Sequence, residues 1–182
     1  MKIEIKPMET EAEVVGKGRV QFLAWKEAYS GIISDTYLDK MSEAECVAKA
    51  RRYQENTIVA KDGERVVGFA VAGRCVDAGC ETTGEIYAIY TLREHYGKGI
   101  GFALMNAALE RLLDYGKVVL WVLSNNQRAI DFYLRYGFEF DGVEREIDLE
   151  GAVTELRMVY ERKRADDVEG EQENEAGSMC KI

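Results

Sequence analysis

Proline and histidine are almost missing from this chain: Pro7 and His95 stand alone among 182 residues. A single histidine excludes the multi-histidine zinc sites. No CxxC pair occurs among Cys46, Cys75, Cys80 and Cys180, and Asp77, Ala78 and Gly79 between the middle two offer no ligand pattern. The cysteines therefore read as reduced thiols, and no metal is expected. Long apolar runs are absent too. The longest, Val118 to Leu123, is far short of the roughly 20 residues that cross a bilayer. The opening Met1-Lys2-Ile3-Glu4 lacks the apolar core of a secretory signal. These absences point to a soluble cytoplasmic protein with no membrane partner. Basic excess is lacking as well: the net charge is −9, and −5 of it falls in residues 165–182, where six carboxylates face only Lys181. A mildly acidic body does not suit a nucleic-acid duplex, whose phosphates need clustered Lys and Arg. It is compatible with a small cationic substrate.

What is present suffices for one domain. Apolar residues make up 47% of the chain, enough for a sizeable core, and the expected division is a folded body over 1–162 and an acidic, flexible tail over 163–182. Lys2 to Lys6 alternates as a strand, ended by Pro7, and a helix follows through Val20, Leu23, Ala24 and Ala28. Ser34 to Lys40 forms a short helical turn. Ser42 and Glu45 make a capping box that opens a helix running to Tyr53. Thr57–Lys61 and Arg65–Cys75 read as a hairpin around Asp62-Gly63. Gly84–Thr91 is strand-like, Lys117–Leu123 reads as a strand buried on both faces, and Gln127–Tyr136 is a helix closed by Gly137. Phe138–Phe140 and Ala152–Tyr160 are the final strands, joined by a turn near Glu150-Gly151. The order β-α-α-β-β-β-α-β-α-β-β implies an α/β fold, a mixed sheet with helices on its faces.

The most informative segment is Tyr96-Gly97-Lys98-Gly99-Ile100-Gly101-Phe102-Ala103, between a strand and a helix. Main-chain N–H groups at such a helix start have no intrahelical acceptor, and the helix dipole adds positive charge. Glycines let phosphate oxygens approach closely, so a pyrophosphate is the natural guest. Arg93, Lys98 and Arg128 are candidates to add charge-assisted contacts. Two other phosphate loops are excluded. No GxxxxGK[ST] string occurs, and GxGxxG or GxGxxA fails because Phe102 or Leu104 stands at the last position.

The turn resembles the Q/R-x-x-G-x-G/A pattern of the GNAT N-acetyltransferase superfamily, with Tyr96 in place of the usual Gln or Arg. A second pattern of that family, N-x-x-A-I-x-F-Y followed by a G-F pair, is complete as Asn126, Ala129, Ile130, Phe132, Tyr133, Gly137 and Phe138. The segment Trp25 to Leu38 is similar to the first-helix region of many bacterial members. The resemblance runs from about Ile3 to Tyr160. It implies a central, mostly antiparallel sheet flanked by helices, acetyl-CoA as cosubstrate, and an amine acceptor. It implies that the pantetheine arm runs along Ile89, Tyr90 and Thr91 like an added strand, with the pyrophosphate on the amides of Gly97, Lys98, Gly99, Ile100, Gly101 and Phe102. Asn126 either contacts the same arm or caps the helix it precedes. Homodimerisation is a habit of the family.

Amine acetylation needs a group that takes a proton from the ammonium, a donor to the oxyanion and an acid for the leaving thiolate. Glu85 is the only acid between Glu81 and Glu94. Period two places it on one strand face with Tyr87 and Ile89. Its spacing to Gly99 resembles that of the catalytic glutamate in the histone-acetylating branch. The base of the ribosomal-protein alanine acetyltransferases falls at Trp121 here, so that variant is not available. Tyr133 stands at the family's tyrosine position and is the candidate acid. A main-chain N–H near Tyr90, freed by a bulge, is the candidate oxyanion donor. Trp25, Tyr29 and Tyr87, with Tyr37, are candidates for an aromatic acceptor pocket; the other reading of Trp25 and Tyr29 is an ordinary apolar helix face. The expected activity is acetyl-CoA-dependent N-acetyl transfer. The alternative is a non-catalytic acyl-CoA-binding regulator or interaction protein with the same fold.

Overall fold

The computed structural model describes residues 2–77 and 79–162. The acidic tail and Cys180 lie outside the described residues. Seven strands form one sheet in the order β1-β2-β3-β4-β5-β7-β6. They are β1 (Ile3–Pro7), β2 (Thr57–Asp62), β3 (Arg65–Arg74), β4 (Thr83–Thr91), β5 (Lys117–Leu123), β6 (Glu139–Asp148) and β7 (Ala152–Glu161). All neighbouring pairs are antiparallel except β4 and β5, so the sheet is mixed and mostly antiparallel. The helices are α1 (Glu11–Tyr29), α2 (Asp35–Lys40), α3 (Glu43–Arg52), α4 (Ile100–Arg111) and α5 (Gln127–Tyr136). No described helix is long and apolar enough to cross a membrane.

Local chemistry sets the element ends. Ser42 and Glu45 form the expected capping box of α3. Thr10 and Glu13 form a second one at the start of α1, where Glu13 also takes Lys6 and Lys61 as ion partners. Gly63 takes φ +60° at the first position of the two-residue β2–β3 loop, as a II′ turn requires. β6 is longer than its sequence suggests, ten residues rather than three. It is the outer edge strand, exposed over nearly its whole length, and so carries no clear alternation signal.

Both sheet faces are covered. On one, α4 and α5 pack through Ile100, Leu104, Met105, Ile130 and Tyr133 onto Val67, Ala70, Ile86, Leu120 and Met158. On the other, α1 and α3 pack through Val14, Val20 and Ala50 onto Val59, Phe69 and Val71. α1 and α3 approach so closely that a Cβ on Gly18 would lie 2.6 Å from the Val47 Cα.

Strict alternation fails in β4. Ala88 pairs with Val71 and Ile86 with Ala72, which leaves Tyr87 as an extra residue, a β-bulge. Ile86 and Ile89 therefore both pack on the α4 face, while Ala88 and Tyr90 pack on the α1 face. This corrects two expectations: Glu85 and Ile89 do not share a face, and the bulge lies at Tyr87 rather than near Tyr90. The bulge also splits the sheet. β4 pairs with β5 only from Thr83 to Ile86, so Tyr87 to Thr91 have no strand partner on that side.

Candidate active site

A cavity of about 460 Å³ occupies the split, within the range of small-molecule sites. Its walls are the unpaired stretch Tyr87–Thr91 of β4, Trp121 and Val122 of β5, the turn before α4, and one side of α5. Of the residues expected at the cofactor, Ile89, Tyr90, Thr91, Gly97, Gly99, Ile100, Gly101, Phe102 and Asn126 line it, and Lys98 does not.

The turn is built for an anion. Gly97 and Gly99 take φ +73° and +79°, a region that side chains with a Cβ rarely adopt. Gly99 is the N-cap of α4, and the first helical main-chain bond runs from Ala103 N–H to the Gly99 carbonyl, 3.0 Å. The N–H groups of Ile100, Gly101 and Phe102 thus have no main-chain acceptor among the described residues. Arg128 and Arg135 reach the cavity from α5. The Arg128 guanidinium carbon sits 3.2 Å above the centre of the Tyr96 ring. The Tyr96 that departs from the family pattern therefore holds a cation beside the turn. Arg93 is not among the lining residues.

Asn126 accepts a 3.2 Å bond from the Ala129 N–H at its Oδ1, so it caps α5. It also lines the cavity, and its Nδ2 is left for another partner. Three phenols meet at the opposite end. Tyr29 from α1 and Tyr90 from β4 share a 2.7 Å hydroxyl–hydroxyl bond. Tyr133 from α5 also lines the cavity. Burial raises all three phenols above the usual tyrosine value; Tyr29 adds to the rise at Tyr90 and Tyr133, while the bond from Tyr90 opposes it at Tyr29. They stay protonated at neutral pH and can act as donors.

Glu85 is buried, 7% exposed, and does not line the cavity. It faces the α1 side, where its β3 partner is Gly73; a Cβ on Gly73 would lie 3.0 Å from the Tyr87 hydroxyl. One carboxylate oxygen of Glu85 has no hydrogen-bond partner. Burial raises its pKa, opposed by the Val76 N–H and the Cys75 thiol. Tyr87, whose hydroxyl donates to the Arg74 carbonyl, is part of the cavity wall. Trp25 is not a lining residue; it lies behind Tyr29, edge-on at 5.0 Å, and stacks on Tyr37 at 6.1 Å.

Several lining residues were not among the sequence candidates. His95, buried with an unpartnered Nδ1, lines the turn side; a lone histidine two residues before the glycines is the only signal for it. Arg135 and Phe132 belong to the α5 face turned to the cavity, legible only once α5 is placed.

Comparison with known proteins agrees with this arrangement. The sequence model of the Acetyltransferase (GNAT) family matches residues 20–138. The uncharacterized N-acetyltransferase YuaI of Bacillus subtilis is 34% identical over 125 residues, 66% of this chain and 72% of that protein. Among solved structures, the PaiA N-acetyltransferase of Thermoplasma acidophilum in complex with coenzyme A shares the fold with a TM-score of 0.66 at 23% identity, over 88% of this chain and all of that one. YncA of Salmonella typhimurium, with its cofactor acetyl-CoA, gives 0.67 at 16% identity, over 91% and 97%. The match of the family model over most of the chain, in a fold whose sheet opens between β4 and β5 above a glycine turn, identifies the protein as an acetyltransferase of the GNAT family.

Proposed function

We propose that this acetyltransferase joins the acetyl group of acetyl-CoA to a primary amine by direct attack of the amine on the thioester carbonyl. The observation that carries the reading is one cavity bounded by free helix-start N–H groups, by the unpaired edge of β4 and by Tyr133. The amides of Gly97–Phe102 suit a pyrophosphate, with Arg128 and Arg135 as counter-charges. The unpaired main chain of Ile89–Thr91 suits the two amides of a pantetheine arm, and the Asn126 Nδ2 can donate to the same arm.

In this reading Tyr133 gives its proton to the leaving thiolate. Glu85 takes the proton that the ammonium loses, and does so through water, because it stands outside the cavity wall. The C–N bond forms and the acetyl C–S bond breaks; the first proton shed by nitrogen passes to Glu85 and on to solvent, Tyr133 gives its proton to sulfur, and the second proton shed by nitrogen returns through water to the Tyr133 oxygen. A main-chain N–H of the Tyr87–Tyr90 stretch, unpaired on the β5 side, is the donor to the carbonyl oxygen. Tyr29 and Tyr87 border the acceptor end, with Trp25 supporting Tyr29 from behind.

The test is thiol release from acetyl-CoA over a panel of amines, paired with thermal stabilisation by acetyl-CoA alone. Amine-dependent release and stabilisation are expected. A chain that neither binds acetyl-CoA nor releases thiol with any amine overturns the reading.

A further inference from the structure

The charged groups on the α1 face of the sheet are distributed in a way that bears on the acceptor. Glu155 of β7 stands opposite Leu123 of β5, and Leu123 packs with Trp25 and Tyr29. Two residues along β5, Trp121 on the same face lines the cavity, and its buried indole N–H has no partner. Glu155 is not itself a lining residue, but its charge reaches the Tyr29 and Tyr90 phenols and adds to the rise in both pKa values, which places it just behind the acceptor end of the cavity.

The cations beside it are already neutralised. Arg145, opposite Glu155 in the β6–β7 register, donates to Glu155 Oε2 from Nε and Nη2, both at 2.8 Å. Its guanidinium lies 4.0 Å over the Trp121 ring, and Asp77 is a second acid at 4.0 Å. Arg157 binds Asp141 Oδ2 from Nε and Nη2, again at 2.8 Å. Lys117 lies four residues back along β5, about 13 Å from Trp121 by strand rise. Arg128 and Arg135 are on α5, across the sheet. Glu155 is only 16% exposed, yet both bonds from Arg145 end on one of its oxygens, so Oε1 remains for a ligand.

Resting on the acetyl-transfer reading, we infer that the acceptor is a primary amine with no carboxylate beside its nitrogen, and that Glu155 receives its ammonium group. An ammonium entering between Tyr29 and Trp121 meets a carboxylate oxygen and aromatic faces. A carboxylate carried on the adjacent carbon meets Glu155 as a like charge, with no uncommitted cation beside it among the described residues. Arg145 aims Glu155, and Trp121 keeps Arg145 in place.

The test uses matched pairs that differ only by the carboxylate: phenylalanine and phenethylamine, tyrosine and tyramine, leucine and isopentylamine. Each is assayed by thiol release at saturating acetyl-CoA. The amine of each pair is expected to exceed its amino acid in kcat/KM by at least about tenfold. Glu155→Gln should raise KM for the amines by about tenfold, leave KM for acetyl-CoA unchanged, and shrink the preference towards parity, because Arg145 is then free to take a carboxylate. Equal or better turnover of the amino acids by the unaltered chain overturns the inference without any variant. So does a Glu155→Gln variant whose selectivity is unchanged. If no member of any pair is acetylated while acetyl-CoA still stabilises the chain, the acceptor class is overturned and the cofactor site stands. Loss of acetyl-CoA binding itself would instead defeat the reading on which the inference rests.

Discussion

Replacing Gly99 by glutamate separates the glycine turn's two physical contributions. Gly99 has φ +79°, ψ −3°, and no atom lies within 4 Å of an added Cβ. A side chain there meets no steric wall, and its cost is backbone strain, about 1–2 kcal/mol for a left-handed residue. A carboxylate next to the N-terminus of α4 regains about 0.3–1 kcal/mol from the helix dipole. The free protein should lose only a few degrees in Tm, at about 2–4 °C per kcal/mol for a domain of this size. Binding is another matter. A carboxylate about 4 to 8 Å from a phosphate oxygen repels it by about 2–4 kcal/mol at an effective dielectric constant near 20. Affinity for acetyl-CoA should fall by about thirtyfold or more. At a hundredfold its Kd, acetyl-CoA stabilises the unaltered chain by about 2.7 kcal/mol, and most of that shift should vanish. Gly99→Ala carries the same strain without the charge, so it should keep most of the shift. Thermal unfolding with and without acetyl-CoA measures both variants. A Gly99→Glu protein that retains the full stabilisation refutes the assignment of the turn to the pyrophosphate. Equal loss in both variants refutes the electrostatic argument and leaves only the backbone geometry.

Tyr133→Phe should lower kcat by at least about a hundredfold with acetyl-CoA affinity preserved, the scale of general acid catalysis; unchanged kcat across pH removes Tyr133 from the chemistry. Glu85→Gln should also lose rate, but the loss should shrink as pH rises towards the amine's own pKa, because free amine then needs no base. The same variant has a stability signature. Burial raises the Glu85 pKa, so the folded state holds its proton more tightly, and stability falls as pH rises from the ordinary glutamate range through the raised value. Glu85→Gln should lack that decline in urea titrations across pH 4–8. Lys17 gives the opposite sign. It is buried, bonded only to Gln21 at 2.5 Å and set 4.5 Å from the Phe69 ring. Burial lowers its pKa from 10.5 to about 8, so the unfolded chain binds more protons between those values and stability rises with pH there. Lys17→Met should abolish the rise and stabilise the protein at pH 7 by up to about 3 kcal/mol; an identical pH slope in both proteins refutes the argument.

The parts of the fold that could be read from the sequence are those whose signal is local. Asp62-Gly63, the Ser42–Glu45 box, the apolar run of β5 and the glycines before α4 each impose their structure within a few residues. β6 could not be read in the same way. As an edge strand it buries little and places Glu139, Asp141, Glu144 and Glu146 without regard to face, so nothing in its composition separates it from a loop. The site divides along the same line. The turn, Asn126 and Tyr133 lie in contiguous motifs, whereas Arg135 reaches the cavity only through the placement of α5. The Tyr96–Arg128 stack joins a turn to a helix 32 residues on, and the Arg145–Glu155 pair is brought into contact by the β6–β7 register; neither is legible from local sequence.

The bulge at Tyr87 shows most clearly why the acceptor side resisted a reading by period. A bulge adds one residue to a strand without any composition of its own; here it falls on a tyrosine, not a glycine. From Glu85 onward, strict alternation would put Tyr87 and Ile89 on the α1 face and turn Ala88 and Tyr90 to the α4 face. The extra residue reverses everything after it. Tyr90 then points to the α1 side, where it meets Tyr29 at 2.7 Å, and Ile89 and Thr91 turn to the α4 face, where Ile89 packs and the Thr91 hydroxyl stands over Gly68 beside Leu104. The same insertion ends the pairing of β4 with β5 at Ile86. One unpaired residue therefore sets both the cavity's opening and its phenol pair, and it leaves Glu85 on the near side of the bulge, not among the lining residues. Glu85 does not line the cavity, which is why the transfer proposed here runs through water.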